Sequence, residues 1–116
     1  SPILRCSHME LHQITNEIYA ISQRLDKATK ALYKLGLEKA ETERVYRMRL
    51  AQEMLSLRSD GMPAAMIADV ARGNLSDLLF QRDAAEAKFK AAIESLDALK
   101  SQLTALQSIL KYQEQI

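Results

Sequence analysis

Residues 75–110, LSDLLFQRDAAEAKFKAAIESLDALKSQLTALQSIL, show the clearest helical pattern of the chain. Its apolar residues recur at alternating steps of three and four, and Arg82 interrupts the series. Such spacing keeps one stripe of a helix against a partner helix over about five heptads, as in coiled coils and long bundles. We therefore expect a helix over about residues 75–112. The main members of its apolar stripe are Leu78, Phe89, Leu96, Leu99, Leu103, Leu106 and Leu110.

The first half of the chain carries a second stripe with the same step, which predicts a helix over about residues 10–58. Beyond Gly36 the pattern is diluted by charged residues, and apolar positions resume at Val45, Met48 and Leu55. We interpret this as a local stutter of the repeat, with Gly36 as a point where the helix can bend. The members of this stripe are Leu11, Ile14, Ile18, Ile21, Leu25 and Leu32.

Turn-forming residues gather at 59–63, so the first helix is expected to end there. A short helix is predicted over about residues 63–72, with Gly73 ending it in a left-handed conformation. Two long helices joined in this way form an antiparallel, coiled-coil-like hairpin with the short helix at its tip. The expected fold class is all-α.

Folding the chain back about residue 67 predicts which positions of the two long helices face each other. Arg82 is then expected near Gln52 and Glu53, with its stem at the edge of the core and its head paired to Glu53. The alternative is that Arg82 fixes the register or binds a partner. The three apolar pairs predicted by this register are Leu55 with Leu79, Met48 with Ala85, and Val45 with Phe89.

Composition fits a single helical domain. The chain has 116 residues, of which 47% are hydrophobic, and few aromatic or glycine residues. Residues 1–8 differ in character, and the pair His8-Met9 is typical of a cloning site, so we interpret residues 1–8 as a cloning remnant and residues 9–116 as the domain. Without the remnant the chain has no cysteine and carries 15 basic and 15 acidic residues. The lack of cysteine favours a reducing, cytoplasmic location. The balanced charge does not indicate nucleic-acid binding, although local basic patches remain possible.

A two-helix hairpin leaves apolar residues beside its stripes uncovered. Self-association into a helical bundle is the simplest way to bury them, so we predict a homo-oligomer, a dimer or larger. No apolar run reaches the length of a membrane span. A membrane is therefore not an expected partner.

The sequence offers little for chemistry. His12 is the one histidine outside residues 1–8, and no nucleophile motif, phosphate-binding loop or metal-ligand pair accompanies it. We therefore predict no catalytic, cofactor or metal site and no small-molecule substrate. The expected function is non-enzymatic binding through protein–protein contacts.

Two basic strips support an alternative function. Lysines and arginines recur at helical spacing near Tyr33 and Tyr46, and such sets can bind phosphates while a tyrosine stacks on a base. Acidic residues are interspersed among them, as on any solvated helix face. The candidate nucleic-acid contacts are Lys27, Lys30, Lys34, Arg44 and Arg47.

The segments 57–63, 82–92 and 103–109 (LRSDGMP, RDAAEAKFKAA and LTALQSI) resemble small uncharacterised helical proteins of temperate phages and prophages of Gram-positive bacteria. Genes for those proteins lie near recombination and single-strand-binding genes. The resemblance covers residues 46–109 and implies a role in phage recombination, replication or host takeover. It supplies no catalytic residues.

The tip of the predicted hairpin carries Met62, Met66 and Ile67. We expect them to plug the closed end, and a Met-rich surface can also adapt to a protein partner. This gives a third hypothesis, an inhibitor that docks its tip on a host protein.

Overall fold

A computed structural model describes residues 10–114. Over this range the chain forms three helices and no strand: α1 is Leu11–Ser59, α2 is Ala64–Asn74 and α3 is Ser76–Glu114. The prediction of an all-helical chain is confirmed. Each observed boundary lies within two residues of the expected one. Residues 1–8, interpreted as a cloning remnant, lie outside the described residues.

The end of α1 is a Schellman motif built on Gly61. The amide of Met62 donates to the carbonyl of Leu57 at 3.1 Å, and the amide of Gly61 donates to that of Arg58 at 3.0 Å. Gly61 has a φ of 85°, which its missing Cβ permits without strain. The predicted turn at residues 59–63 thus reverses the chain within a few residues.

The passage from α2 to α3 is nearly continuous. Leu75 interrupts the helix, but its amide donates to the carbonyl of Ala71 and its carbonyl accepts from the amide of Leu79, as in an unbroken helix. The predicted left-handed cap at Gly73 is wrong, because Gly61 is the one glycine with positive φ in the described chain. Gly73 lies within α2.

The chain divides into two compact units. The first unit contains residues 1–32 and 92–116, of which 10–32 and 92–114 are described. Its interior is apolar: Ile14, Ile21 and Leu106 are buried, and the other stripe residues except Leu11 are half-buried. Those half-buried members are Ile18, Leu25, Leu32, Leu96, Leu99, Leu103 and Leu110.

The second unit contains residues 33–91 and holds part of α1, all of α2 and the start of α3. Within it α1 and α3 run antiparallel, as two contacts show: Phe89 lies against Gly36 and Arg82 against Tyr46. Asn74, the last residue of α2, donates a hydrogen bond to Glu53 of α1. Its core consists of Tyr46, Ile67, Ala71, Leu75 and Ala85.

The predicted register in the second unit is wrong by about two helical turns. Phe89 lies against Gly36 and not Val45, and Glu53 accepts a hydrogen bond from Asn74, whereas Arg82 lies on Tyr46. The physical reason is the site of reversal. The chain reverses at Gly61 and then continues through α2 into α3 almost unbroken, so the fold-back lies several residues before residue 67.

Candidate interaction surface

The seam between α1 and α3 in the second unit contains charged side chains where a coiled coil normally places apolar ones. Four half-buried residues, two cationic and two acidic, line a cleft of about 320 Å³. They are Lys39, Glu43, Arg82 and Glu86. The inward face of α1 therefore contributes little apolar surface at this point.

Both cations of the seam rest on aromatic rings. The Arg82 guanidinium carbon lies 4.7 Å from the centre of the Tyr46 ring, and Lys39 Nζ lies 5.3 Å from the centre of the Phe89 ring. Arg82 also donates to Asp83 at 3.1 Å. The rings attract the cations electrostatically and let their charged ends reach solvent. The expected pair of Arg82 with Glu53 is wrong.

Gly36 allows α1 to approach Phe89 closely. A Cβ at this position would lie 3.2 Å from Phe89 Cε2. Lys88 Nζ lies 3.7 Å from a Glu38 carboxylate oxygen on the same part of the interface. Gly36 thus makes room for a ring, and α1 continues through it as a helix.

The opposite face of α1 carries a second set of apolar residues, which α3 does not cover. Seven exposed positions between 33 and 55 follow one another at steps of three or four and fall within an arc of about 80° around the helix. We call this face the outer stripe. It consists of Tyr33, Leu37, Ala40, Arg44, Met48, Ala51 and Leu55.

The large side chains of the outer stripe are widely exposed. Tyr33 is 71% exposed, Leu37 55%, Met48 44% and Leu55 62%. The expectation that Met48 and Leu55 face α3 is therefore wrong. With the shorter fold-back, Tyr46 occupies the buried position and turns Met48 and Leu55 outward.

Sequence reasoning missed this face although the signal was present. The outer stripe has the same three-four spacing as the predicted stripes, displaced around the helix. The sequence pattern predicts Met48 and Leu55 in the core and Arg44 in a charged stutter, because Gly36 and the acidic residues after it interrupt the repeat.

The candidate nucleic-acid contacts are all exposed on α1. Lys27 and Lys30 belong to the first unit and the other three to the second. Three of the five form ion pairs within α1: Lys30 with Asp26 at 3.2 Å, Arg44 with Glu41, and Arg47 with Glu43 at 3.0 Å. Within the described chain, Lys27 and Lys34 form no ion pair.

The Glu41 and Arg44 pair shows the one clear electrostatic perturbation among the described titratable groups. Arg44 Nε donates to Glu41 Oε2 at 3.1 Å, and this hydrogen bonding from Arg44 lowers the pKa of the Glu41 carboxyl. Arg44 thus offers a cation already matched by a carboxylate on its own helix.

The predicted docking tip is only partly exposed. Met66 is 52% exposed and Met62 is half-buried, whereas Ile67 is 5% exposed and belongs to the core of the second unit. Ile67 therefore serves as a plug, and Met66 offers the largest apolar surface of the three.

His12 is the one histidine among the described residues. His12 Nδ1 lies 3.2 Å from a Glu10 carboxylate oxygen on an exposed part of α1. Among residues 10–114 there is no group of three or more potential metal ligands, and no helix combines the length and apolar character that crossing a membrane requires.

No known protein family matches the chain, and no curated protein and no solved structure is significantly similar to it. The resemblance to phage proteins stays a prediction. The surfaces described above are therefore the basis of the proposed function.

Proposed function

We propose that this chain is a non-enzymatic helical interaction and assembly module that acts through protein–protein contacts and forms a homo-oligomer. The observation that supports this proposal is the outer stripe. It exposes four large apolar side chains along one helix face, while the inner side of the same helix segment already packs against α3. Contiguous apolar surface of this kind marks an interaction site.

The exposed apolar side chains of the outer stripe would be more stable if they were buried. Removing apolar surface from water is favourable by about 25 cal/mol per Å². The second unit cannot bury the stripe with its own helices, because α1 already presents its other face to α3. A further protein surface is the remaining means of covering it.

Sedimentation equilibrium over a concentration series tests the proposal. We expect wild type to have an oligomeric mass. The double variant Leu37→Glu with Leu55→Glu should be monomeric, because burying its two carboxylates in the interface is costly. The matched control is Gln52→Glu with Ser56→Glu, which adds the same charge at exposed positions outside the stripe and should keep the wild-type mass. A monomeric wild type at several hundred micromolar would contradict the proposal.

A single-stranded nucleic-acid accessory, in the recombination or replication setting that the phage resemblance implies, is the second candidate. It is favoured by Lys34, which is exposed and unpaired among the described residues and stands next to Tyr33, a ring that is 71% exposed. Such a pair can bind a phosphate and stack on a base.

Fluorescence anisotropy of a labelled single-stranded oligonucleotide tests this second function. We expect saturable binding that weakens with salt, and loss of binding in Lys27→Glu with Lys34→Glu. The control Arg24→Glu with Arg49→Glu changes the same charge at other exposed positions of α1. Equal binding by both variants would remove the two lysines from the site, and flat anisotropy would exclude the function.

A further inference from the structure

The two halves of the outer stripe, on either side of Arg44, are complementary in side-chain size. Positions equally distant from Arg44 on its two sides carry side chains of complementary size: Leu37 is matched by Ala51, and Ala40 by Met48. At the ends, Tyr33 is matched by Leu55. Where one side of the stripe has a large residue near the centre, the other has a small one.

This arrangement suits antiparallel pairing of α1 with a copy of itself. A two-fold axis through Arg44, perpendicular to the helix, places each stripe position opposite the equidistant position of the other copy. Leucine and methionine then project toward alanine, so the two helices can approach closely with large side chains beside small ones. The contact extends about 33 Å, the length of residues 33–55 along a helix.

Parallel pairing does not use this pattern. In a parallel, in-register pair each residue meets its own kind, so Leu37 lies against leucine and Ala40 against alanine. The large pairs then hold the helices apart, and gaps remain at the alanines. The order of sizes in the stripe therefore favours the antiparallel arrangement.

The charges at the centre fit the same axis. Arg44 is bound to Glu41 one turn away on the same helix. In the antiparallel arrangement, the Arg44–Glu41 ion pairs of the two copies place two guanidinium groups and two carboxylates around the axis. Each Arg44 then has the carboxylate of the other copy within reach of its long side chain, and opposite charges balance.

We propose that the outer stripe binds a second copy of this chain in an antiparallel, two-fold symmetric helix pair centred on Arg44. The inference rests on the proposed assembly function and assigns its interface. The same surface of each copy is used, so the contact closes on itself as a dimer.

Disulfide trapping tests the geometry. In a Cys6→Ser background, Ala40→Cys and Met48→Cys are prepared as separate proteins, and each is oxidised mildly alone and as a mixture. A disulfide requires Cα atoms about 4.4–6.8 Å apart. We expect the mixture to form the crosslinked heterodimer at least about tenfold faster than either protein forms a homodimer, because identical positions lie about 12 Å apart along the axis.

The controls separate the failure of the geometry from the failure of assembly. Gln52→Cys, exposed outside the stripe, gives the collision rate. A dimeric mass with each variant crosslinking to itself would show parallel pairing and overturn the inference, while assembly stands. A dimeric mass with crosslinking at the collision rate would place the interface elsewhere and also overturn it. A monomeric mass at several hundred micromolar would overturn both proposals.

The charge at the axis supplies an independent readout. Arg44→Glu brings four carboxylates together at the centre, and like charges at an interface are strongly unfavourable. We expect dimer affinity to fall at least about tenfold, whereas Arg49→Glu, exposed on another face of the same helix, should leave it within about threefold. Equal affinity of the two variants would contradict the proposed axis. Helicity measured by circular dichroism checks that both variants remain folded.

Discussion

The two units use the same helices in opposite ways. In the first unit, the residues turned inward on α1 and α3 are isoleucine, leucine and alanine with a single glutamine, and Ile14 is completely buried. In the second unit the inward face of α1 includes Lys39 and Glu43 among its apolar residues, and further large apolar residues lie on the outer stripe. The first unit gains its stability from a conventional apolar seam, and the second leaves much of its apolar surface outside.

The difference shows that apolar content alone does not identify an interior. A helix with one apolar stripe has one way to bury it, as in the first unit. A helix with two stripes can bury only one against its neighbour, and the reversal at Gly61 determines which one. The second unit keeps its polar seam in place through Tyr46, Phe89 and the cations above their rings.

The largest expected effect comes from charging the apolar seam of the first unit. Leu99→Asp with Leu103→Asp places two carboxylates on its half-buried face and should destabilise it by several kcal/mol, at least about 4, because each buried charge lacks a partner. Thermal unfolding followed by circular dichroism measures the change. Ala98→Asp with Gln102→Asp, on exposed positions, should leave the midpoint nearly unchanged, and similar losses in both variants would show that this face is no seam.

A smaller effect is expected in the polar seam of the second unit. Arg82→Ala removes the guanidinium from the Tyr46 ring together with the packing of its stem, and we expect a loss of about 1–2 kcal/mol. Asp83→Ala removes only the exposed ion pair and should cost about 0.5 kcal/mol or less. Urea unfolding distinguishes the two. An Arg82→Ala variant as stable as Asp83→Ala would argue against the ring contact.

The smallest expected effects concern two helical glycines. Gly73→Ala meets no atom within 4 Å and should stabilise the chain by about 0.5–1 kcal/mol through helix propensity. Gly36→Ala meets Phe89 at 3.2 Å, so the same gain should be cancelled or reversed. Chemical unfolding of both variants measures the contrast, and adding Phe89→Ala should restore the benefit at Gly36. Equal gains at both glycines in the wild-type background would show that Phe89 does not need the space.

Much of the fold could be predicted from local patterns. The stripes of α1 and α3 predicted both long helices, and the turn residues at 59–63 predicted the break between them to within two residues. The sequence predicts the left-handed glycine at Gly73, because the presence of a glycine alone does not show where the backbone needs positive φ. The Schellman hydrogen bonds place that requirement at Gly61.

The candidate surface could be predicted only in part. Its spacing is visible in the residues from Tyr33 to Leu55, but spacing does not reveal which of two stripes faces inward. The sequence predicts Met48 and Leu55 in the core because apolar residues are usually buried. Their exposure follows from the register of α3, which depends on contacts between residues some 35 to 55 positions apart, such as Arg82 with Tyr46 and Phe89 with Gly36.

Local sequence patterns predict that this chain is helical, where its helices begin and end, and which apolar stripe lines the first unit. Helical periodicity and turn chemistry are local properties, written within a few neighbouring residues. Tertiary packing sets the register of the second unit, the charged part of the seam between its helices and the exposure of the outer stripe. Those features arise from packing between distant residues, where a shift of two turns changes every contact and leaves the local pattern unchanged.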